Sequence, residues 1–187
     1  MLNEKNHTTG SLLISEPFML DPNFKRSVVL LTEHSPGGNV GFVLNQRSDH
    51  LLNEIIQDCW SCSFPIFVGG PVANDMLHFI HRCYDKIEGG IEIQNGLYWG
   101  GDFEKVKMLI NNNKLQPHEI RFFIGYSGWG EDQLESELEQ NSWLISNQYN
   151  LDTIFLEEEE KLWKELVISL GPRYAHIANF PENPMWN

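Results

Sequence analysis

Cysteine is scarce in this chain, positive charge is half as frequent as negative, and long apolar runs are missing. Three cysteines in 187 residues (Cys59, Cys62, Cys83) are too few and odd in number for a disulfide framework, which fits a reducing compartment. Thirteen Lys and Arg stand against 26 Asp and Glu, a net charge of −13. Phosphate backbones are held by clustered Lys and Arg. The sequence has no such cluster, so direct nucleic-acid binding is disfavoured. No stretch approaches the ~18 apolar residues of a membrane span. The opening MLNEKNHTTGSLLIS lacks the basic segment and long apolar segment of a secretory signal. The expectation is a soluble cytoplasmic protein that does not enter a membrane.

What is present is an ordinary globular composition, 41% hydrophobic and 21% charged, in a chain long enough for one domain with a full core. A single domain over 1–187 is expected, with residues 1–10 as a loose N-terminal tail and 178–187 as an irregular C-terminal one. The acid is concentrated. Residues 131–165 hold 11 acidic side chains and two lysines. That is either a solvated surface or a docking face for a basic partner.

Hydrophobic patterning predicts many strands and about four helices. Ser11–Ser15 (SLLIS) reads as a strand. Ser27–His34 (SVVLLTEH) and Val40–Asn45 (VGFVLN) read as a hairpin around the five-residue loop SPGGN. Leu51–Ile56 suggests a short helix capped by Ser48 or Asp49. Pro65–Val68 and Leu77–Arg82 read as strands. Gln94-Asn95-Gly96 marks a second hairpin between Glu88–Ile93 and Leu97–Trp99. Asp102 is placed to cap a helix over Phe103–Asn111. Glu119–Gly125 reads as a strand, Glu131–Ile145 as a helix and Leu151–Phe155 as a strand. Glu157–Leu170 reads as a helix with acids in its first turn, stopped by Gly171-Pro172 with Gly171 as a left-handed cap. Hairpins mixed with helices predict an α+β fold rather than a doubly wound parallel sheet.

Several stretches raise chemistry. Gly125-Tyr126-Ser127-Gly128-Trp129 resembles a nucleophile elbow until Trp129 replaces the last glycine that the motif needs. The downstream histidine for a triad would be His176, in a run without signal. The same turn is a poor anion cradle, because Glu131 and Asp132 fill the start of the following helix and repel anions. A tight turn anchored by Tyr126 and Trp129 remains. Cys59-x-x-Cys62 follows a helix rather than opening one, against the redox motif. A zinc reading that adds His78 and His81 fails because those two point to opposite faces of a strand. No metal and no cofactor are therefore expected. Gly69-Gly70-Pro71 and Asn45-Gln46-Arg47 are further polar or glycine-rich turns that suit the lining of a cleft.

Four segments carry a family resemblance: GSLLISEPFMLDPNFKRSVVLLTEHSPGGNVGFVLNQ (10–46), FVGGPV (67–72) with Leu77-His78, GYSGWGEDQLESEL (125–138) and LWKELVISLG (162–171). In that order they resemble the AlgH/YqgE-like family of small bacterial proteins. Ser127 stands where the family turn usually carries a small apolar residue, and Glu131-Asp132 where Pro-Gly is common. The resemblance implies a single α+β domain whose bent, bifurcated sheet forms a partial barrel flanked by helices. It also implies a cytoplasmic bacterial protein. The family carries a transcriptional-regulator label and no established reaction. With so acidic a chain, regulation would be indirect, through an unidentified protein or small-molecule partner.

The leading expectation is thus a non-enzymatic regulatory or binding protein. Its candidate ligand or partner surface comprises Asn45, Gly69, Gly70, Pro71, His78, Tyr126, Ser127 and Trp129. The alternative is an enzyme of unknown class, its catalytic residues unassigned, that uses the same cleft.

Overall fold

The computed structural model describes residues 6–60, 64–155 and 158–180. Strand β1 (Leu12–Ser15) pairs with β2 (Val28–Ser35), which forms a hairpin with β3 (Gly38–Val43). The hairpin lies where the sequence places it, but its turn is tighter. Ser35 pairs with Gly38, leaving Pro36 and Gly37 between them instead of five residues. Gly38 allows this: at φ +136 a Cβ would stand 2.2 Å from the Trp129 carbonyl.

Next come β4 (Arg47–Leu51) and α1 (Leu52–Ile55). Ser48 and Asp49 are not helix caps but strand residues, and the Ser48 hydroxyl donates to the Ile66 carbonyl at 2.8 Å. β5 (Pro65–Val68), β6 (Val72–His81), α2 (Tyr84–Ile87), β7 (Ile91–Gln94), β8 (Leu97–Trp99) and α3 (Phe103–Asn111) follow. Asn95 and Gly96 turn the β7–β8 hairpin with positive φ. The Asp102 carboxylate caps α3 by accepting from the Lys105 amide at 3.1 Å.

The second half departs more from expectation. β9 runs unbroken over Ile120–Gly130, so GYSGWG is strand and not a turn. The expected helix over 131–145 is two elements, α4 (Gln133–Glu139) and β10 (Trp143–Ser146). Leu134, Leu138 and Ile145 happen to fit a helical period, but Asn141 takes φ +59 and ends the helix. Residues 151–154 form one helical turn, α5 (Leu151–Ile154), because the Asn150 side chain caps it at the Asp152 amide. α6 (Glu159–Ser169) is the expected long helix. It ends at Leu170, and Gly171, at φ 112 and ψ 174, is not a left-handed cap but the residue that opens α7 (Pro172–Ala175). A 3-10 turn (Ile177–Asn179) closes the described chain. Among the described residues there are seven α-helices rather than about four, and four of them are only four residues long.

The strands build one α+β domain around a ten-stranded, mostly antiparallel sheet in the order β10-β1-β2-β3-β9-β6-β8-β7. The sheet does not close, and it branches at β9. Residues 127–130 of β9 pair with β3, residues 122–124 pair in parallel with β5, and β6 lies along the other edge. β4 joins through β5.

The β1–β3 layer is covered on both faces, which is why LLIS and VVLL are apolar without alternation. On one face Leu12, Ile14, Leu30 and Phe42 pack with Leu162, Trp163, Leu166 and Val167 of α6. On the other, Leu13, Val29, Leu31 and Val43 pack with Trp129, Leu134, Leu138 and Trp143. A third cluster joins Ile66, Phe79, Ile120 and Phe122 to Val106 and Ile110 of α3 and also buries Cys59 and Cys83. Cys62 lies outside the described residues.

Candidate functional site

Two of the glycine-rich stretches meet. The chain leaves β5 at Gly69, whose amide donates to the Ile124 carbonyl at 2.9 Å. The Gly69 carbonyl accepts from the Val43 amide at 2.9 Å and from the Ser127 hydroxyl at 3.0 Å. Backbone runs directly over backbone here. A Cβ on Gly69 would stand 2.4 Å from the Gly125 carbonyl, and one on Gly125 (φ +68) would stand 2.7 Å from the Gly70 carbonyl. The glycines let β3, β9 and the β5–β6 corner cross at one point. Pro71 then starts the chain toward β6, where Val72 pairs with Tyr126.

His78 sits beside this crossing, paired in register with Phe123. Its imidazole lies among three rings, with centroids 5.2 Å from Phe42, 6.2 Å from Trp99 and 6.0 Å from Tyr126. Its Nε2 is buried and has no hydrogen-bond partner among the described residues. Burial holds its pKa below the ordinary 6.5. His81, on the same strand, belongs to a different environment: it stacks on Tyr98, and its Nε2 lies 3.1 Å from the carbonyls of Gly89 and Gly100. Those two acceptors require the Nε2–H tautomer. The two histidines therefore do not converge. Among the described residues no three His, Cys, Asp or Glu side chains lie close enough to hold a metal ion.

Gly69, Gly70, Pro71, His78, Tyr126 and Ser127 thus gather at one corner, and two of the expected site residues do not. The Asn45 amide group ties the end of the β2–β3 hairpin, accepting from the Val28 amide and donating to the Arg26 carbonyl, each at 2.9 Å. Gln46 likewise donates to the Asn23 carbonyl at 2.6 Å. Trp129 lies in the core with Trp143 and Phe24. The indole N–H groups of Trp129 and Trp143 both donate to Oε2 of Glu137, at 2.9 and 2.7 Å. Ser127 is fully buried within a strand, and His176 is exposed near Phe180, so neither the elbow nor its triad forms.

Three residues at or near the corner escape the sequence reading. Phe42 and Trp99 complete the ring box, but only the strand order brings them to His78. Arg121 is 5% exposed within β9, donates to the Leu44 carbonyl at 2.7 Å and lies 4.3 Å over the Phe67 ring. Burial pushes its pKa down to about 10, which leaves it charged at neutral pH. A lone Arg between Ile120 and Phe122-Phe123 was the available signal.

The family model described as AlgH-like matches residues 12–175. The chain belongs to the AlgH-like family. A UPF0301 protein of Cytophaga hutchinsonii is 43% identical to this AlgH-like chain, covering 96% of it and 99% of the relative. Another, from Chlorobium limicola, is 43% identical with 95% of each chain covered. The solution structure of the AlgH protein from Pseudomonas aeruginosa matches with a TM-score of 0.71 at 25% identity, covering 95% of this chain and 98% of that one. A crystal structure of a Corynebacterium diphtheriae protein shares the fold, with a TM-score of 0.77 at 22% identity over 95% of each chain. None of these names states a reaction, so the AlgH-like fold alone assigns no chemistry.

The lowered pKa values predict an acid-labile AlgH-like domain. The unfolded chain binds protons on His78 and His81 more readily than the folded one, so stability is full above pH 6.5 and falls as pH drops below it. The urea midpoint should decrease between pH 7.5 and pH 5.5, and His78→Phe should flatten part of that decrease. An unchanged slope in the variant would remove His78 from the account.

Proposed function

We propose that this AlgH-like protein is a binding protein whose ligand or partner site is the corner formed by Gly69, Gly70, Pro71, His78, Tyr126 and Ser127. One observation carries the reading: the buried Nε2 of His78 has no partner among the described residues, although buried polar groups are ordinarily hydrogen-bonded. Half-buried Trp99 and Tyr126 beside it offer flat apolar contact. An occupant with one hydrogen-bonding group and a planar apolar body fits that chemistry.

Binding is favoured over catalysis because the Ser127 hydroxyl is committed to the Gly69 carbonyl and buried. Any part in transcriptional control is then indirect, through the bound molecule or a protein partner, since the net charge of −13 opposes contact with DNA. The proposed setting is the cytoplasm, in keeping with the free, buried Cys83. No described helix is long and apolar enough to cross a membrane.

The test is native mass spectrometry of protein purified without added ligand, followed by imidazole 15N spectra of His78 during titration with fractionated bacterial metabolites. A bound species that shifts the His78 Nε2 resonance, and that His78→Phe binds at least about tenfold more weakly, is expected. Saturable binding that leaves His78 unmoved would place the site elsewhere. Consumption of the bound species would make the protein an enzyme.

A further inference from the structure

Asn95-Gly96, at the tip of the β7–β8 hairpin, is the one Asn-Gly pair in the sequence. Such a pair has a reactive option that most turns lack. The backbone nitrogen of the glycine can attack the side-chain carbonyl carbon of the asparagine and close a five-membered imide. The tip is independent of the His78 corner, and three observations there favour this attack.

The first is room. Asn95 is exposed, and nothing lies within 4 Å of a Cβ added to Gly96. No neighbouring side chain obstructs ring closure, and water has access to the product. The second is the partner of the nucleophile. The Gly96 N–H donates to Oε1 of Glu92 at 3.2 Å. A carboxylate at that distance is placed to take the proton. The third is that this carboxylate is not neutralised: Glu92 is exposed, and among the described residues no Lys or Arg pairs with it.

Other exposed asparagines lack this arrangement. The amide after Asn141 donates to the Glu137 carbonyl at 3.0 Å. Those after Asn112 and Asn113 donate to the carbonyls of Ile110 and Leu109, each at 2.8 Å. A peptide carbonyl accepts the hydrogen bond but is too weak a base to remove the proton.

We propose that Asn95 is a self-modification site, converted to an aspartyl or isoaspartyl residue with Glu92 as general base. Glu92 takes the Gly96 amide proton as the nitrogen bonds to Cγ of Asn95. The Cγ–Nδ2 bond then breaks, and the proton leaves with the departing ammonia. Both reacting groups belong to adjacent residues, so the step is intramolecular. Water next opens the imide. Opening at Cγ leaves an aspartyl residue, and opening at the backbone carbonyl leaves an isoaspartyl link. One water is consumed, one ammonia is released, and nothing is oxidised or reduced.

Either product adds a negative charge to a tip that already carries Glu92. The isoaspartyl link also puts an extra methylene into the backbone of a two-residue turn. That turn sets the pairing of Gln94 with Leu97 and of Glu92 with Tyr98. The terminal strand of the sheet therefore loosens as the protein ages.

The test is incubation of the full chain in 18O-labelled water at pH 7.5, followed by peptide mapping. Label should enter at position 95 sooner than at any other asparagine. Folded Glu92→Gln should take it up about tenfold or more slowly, and its exposed position lets the variant fold. In urea, with the hairpin gone, parent and variant should react at one common rate, below that of the folded parent. Absence of label at position 95 would overturn the proposal, and so would equal rates for the two folded proteins. A folded parent slower than its unfolded chain would also overturn it, because the hairpin would then shield Asn95.

Discussion

Trp129→Ala is expected to lower the stability of the domain by about 3–5 kcal/mol, the usual cost of emptying a large buried aromatic site. The indole is 5% exposed, packs against Trp143 and Phe24, and donates to Glu137. Its loss leaves a cavity between β9 and α4. Trp129→Phe keeps most of the packing but deletes the N–H donor, so it should cost much less. Equilibrium urea unfolding of both variants separates the two contributions. A cost below about 1 kcal/mol for the alanine variant would show that Trp129 is not an anchor, against the cavity rule. Since Glu137 serves two indoles at once, Glu137→Ala should be more damaging than its half-exposed position suggests.

Gly70→Ala should be nearly as severe, at about 3 kcal/mol or more, from overpacking added to backbone strain. A Cβ there would stand 2.4 Å from the Ser127 hydroxyl and from the backbone of Tyr126, at φ +153. The neighbour that must give way is largely backbone, which has little room to move. Gly96→Ala supplies the control. Gly96 also has positive φ (+83), but nothing lies within 4 Å of its added Cβ. It should lose only about 1 kcal/mol, the conformational part. If the two variants lose the same amount, the crossing at Gly70 is looser than described.

The readable parts of this fold were those set by local chemistry. The apolar runs of β1 and β2, the Asn95-Gly96 turn, the Asp102 cap and the stripe of Leu162, Trp163, Leu166 and Val167 each depend on neighbours in sequence. GYSGWG was misread because glycine serves two ends. In a turn it permits unusual dihedrals, and in β9 it admits another backbone at contact distance. Residues 131–145 were misread because Leu134, Leu138 and Ile145 satisfy a helical period that Asn141 interrupts.

The candidate site was half legible. Gly69, Gly70, His78 and Tyr126 were singled out by type, and they do meet. Phe42 and Trp99 could not be added, since their nearness to His78 depends on which strands adjoin. Asn45 and Trp129 looked equally functional in sequence, yet one ties a hairpin and the other fills the core.

The late position of β9 in the chain also bears on how the protein comes off the ribosome. β3 awaits Gly38↔Gly130 through Gly41↔Ser127, and β6 awaits residues 120–126. β1 finds its outer neighbour only when Trp143–Ser146 has emerged. Until then the nascent chain carries open strand edges and the uncovered apolar faces of β1 and β2, the surfaces that drive strand-to-strand aggregation. Synthesis that stalls before residue 120 should therefore yield an insoluble fragment.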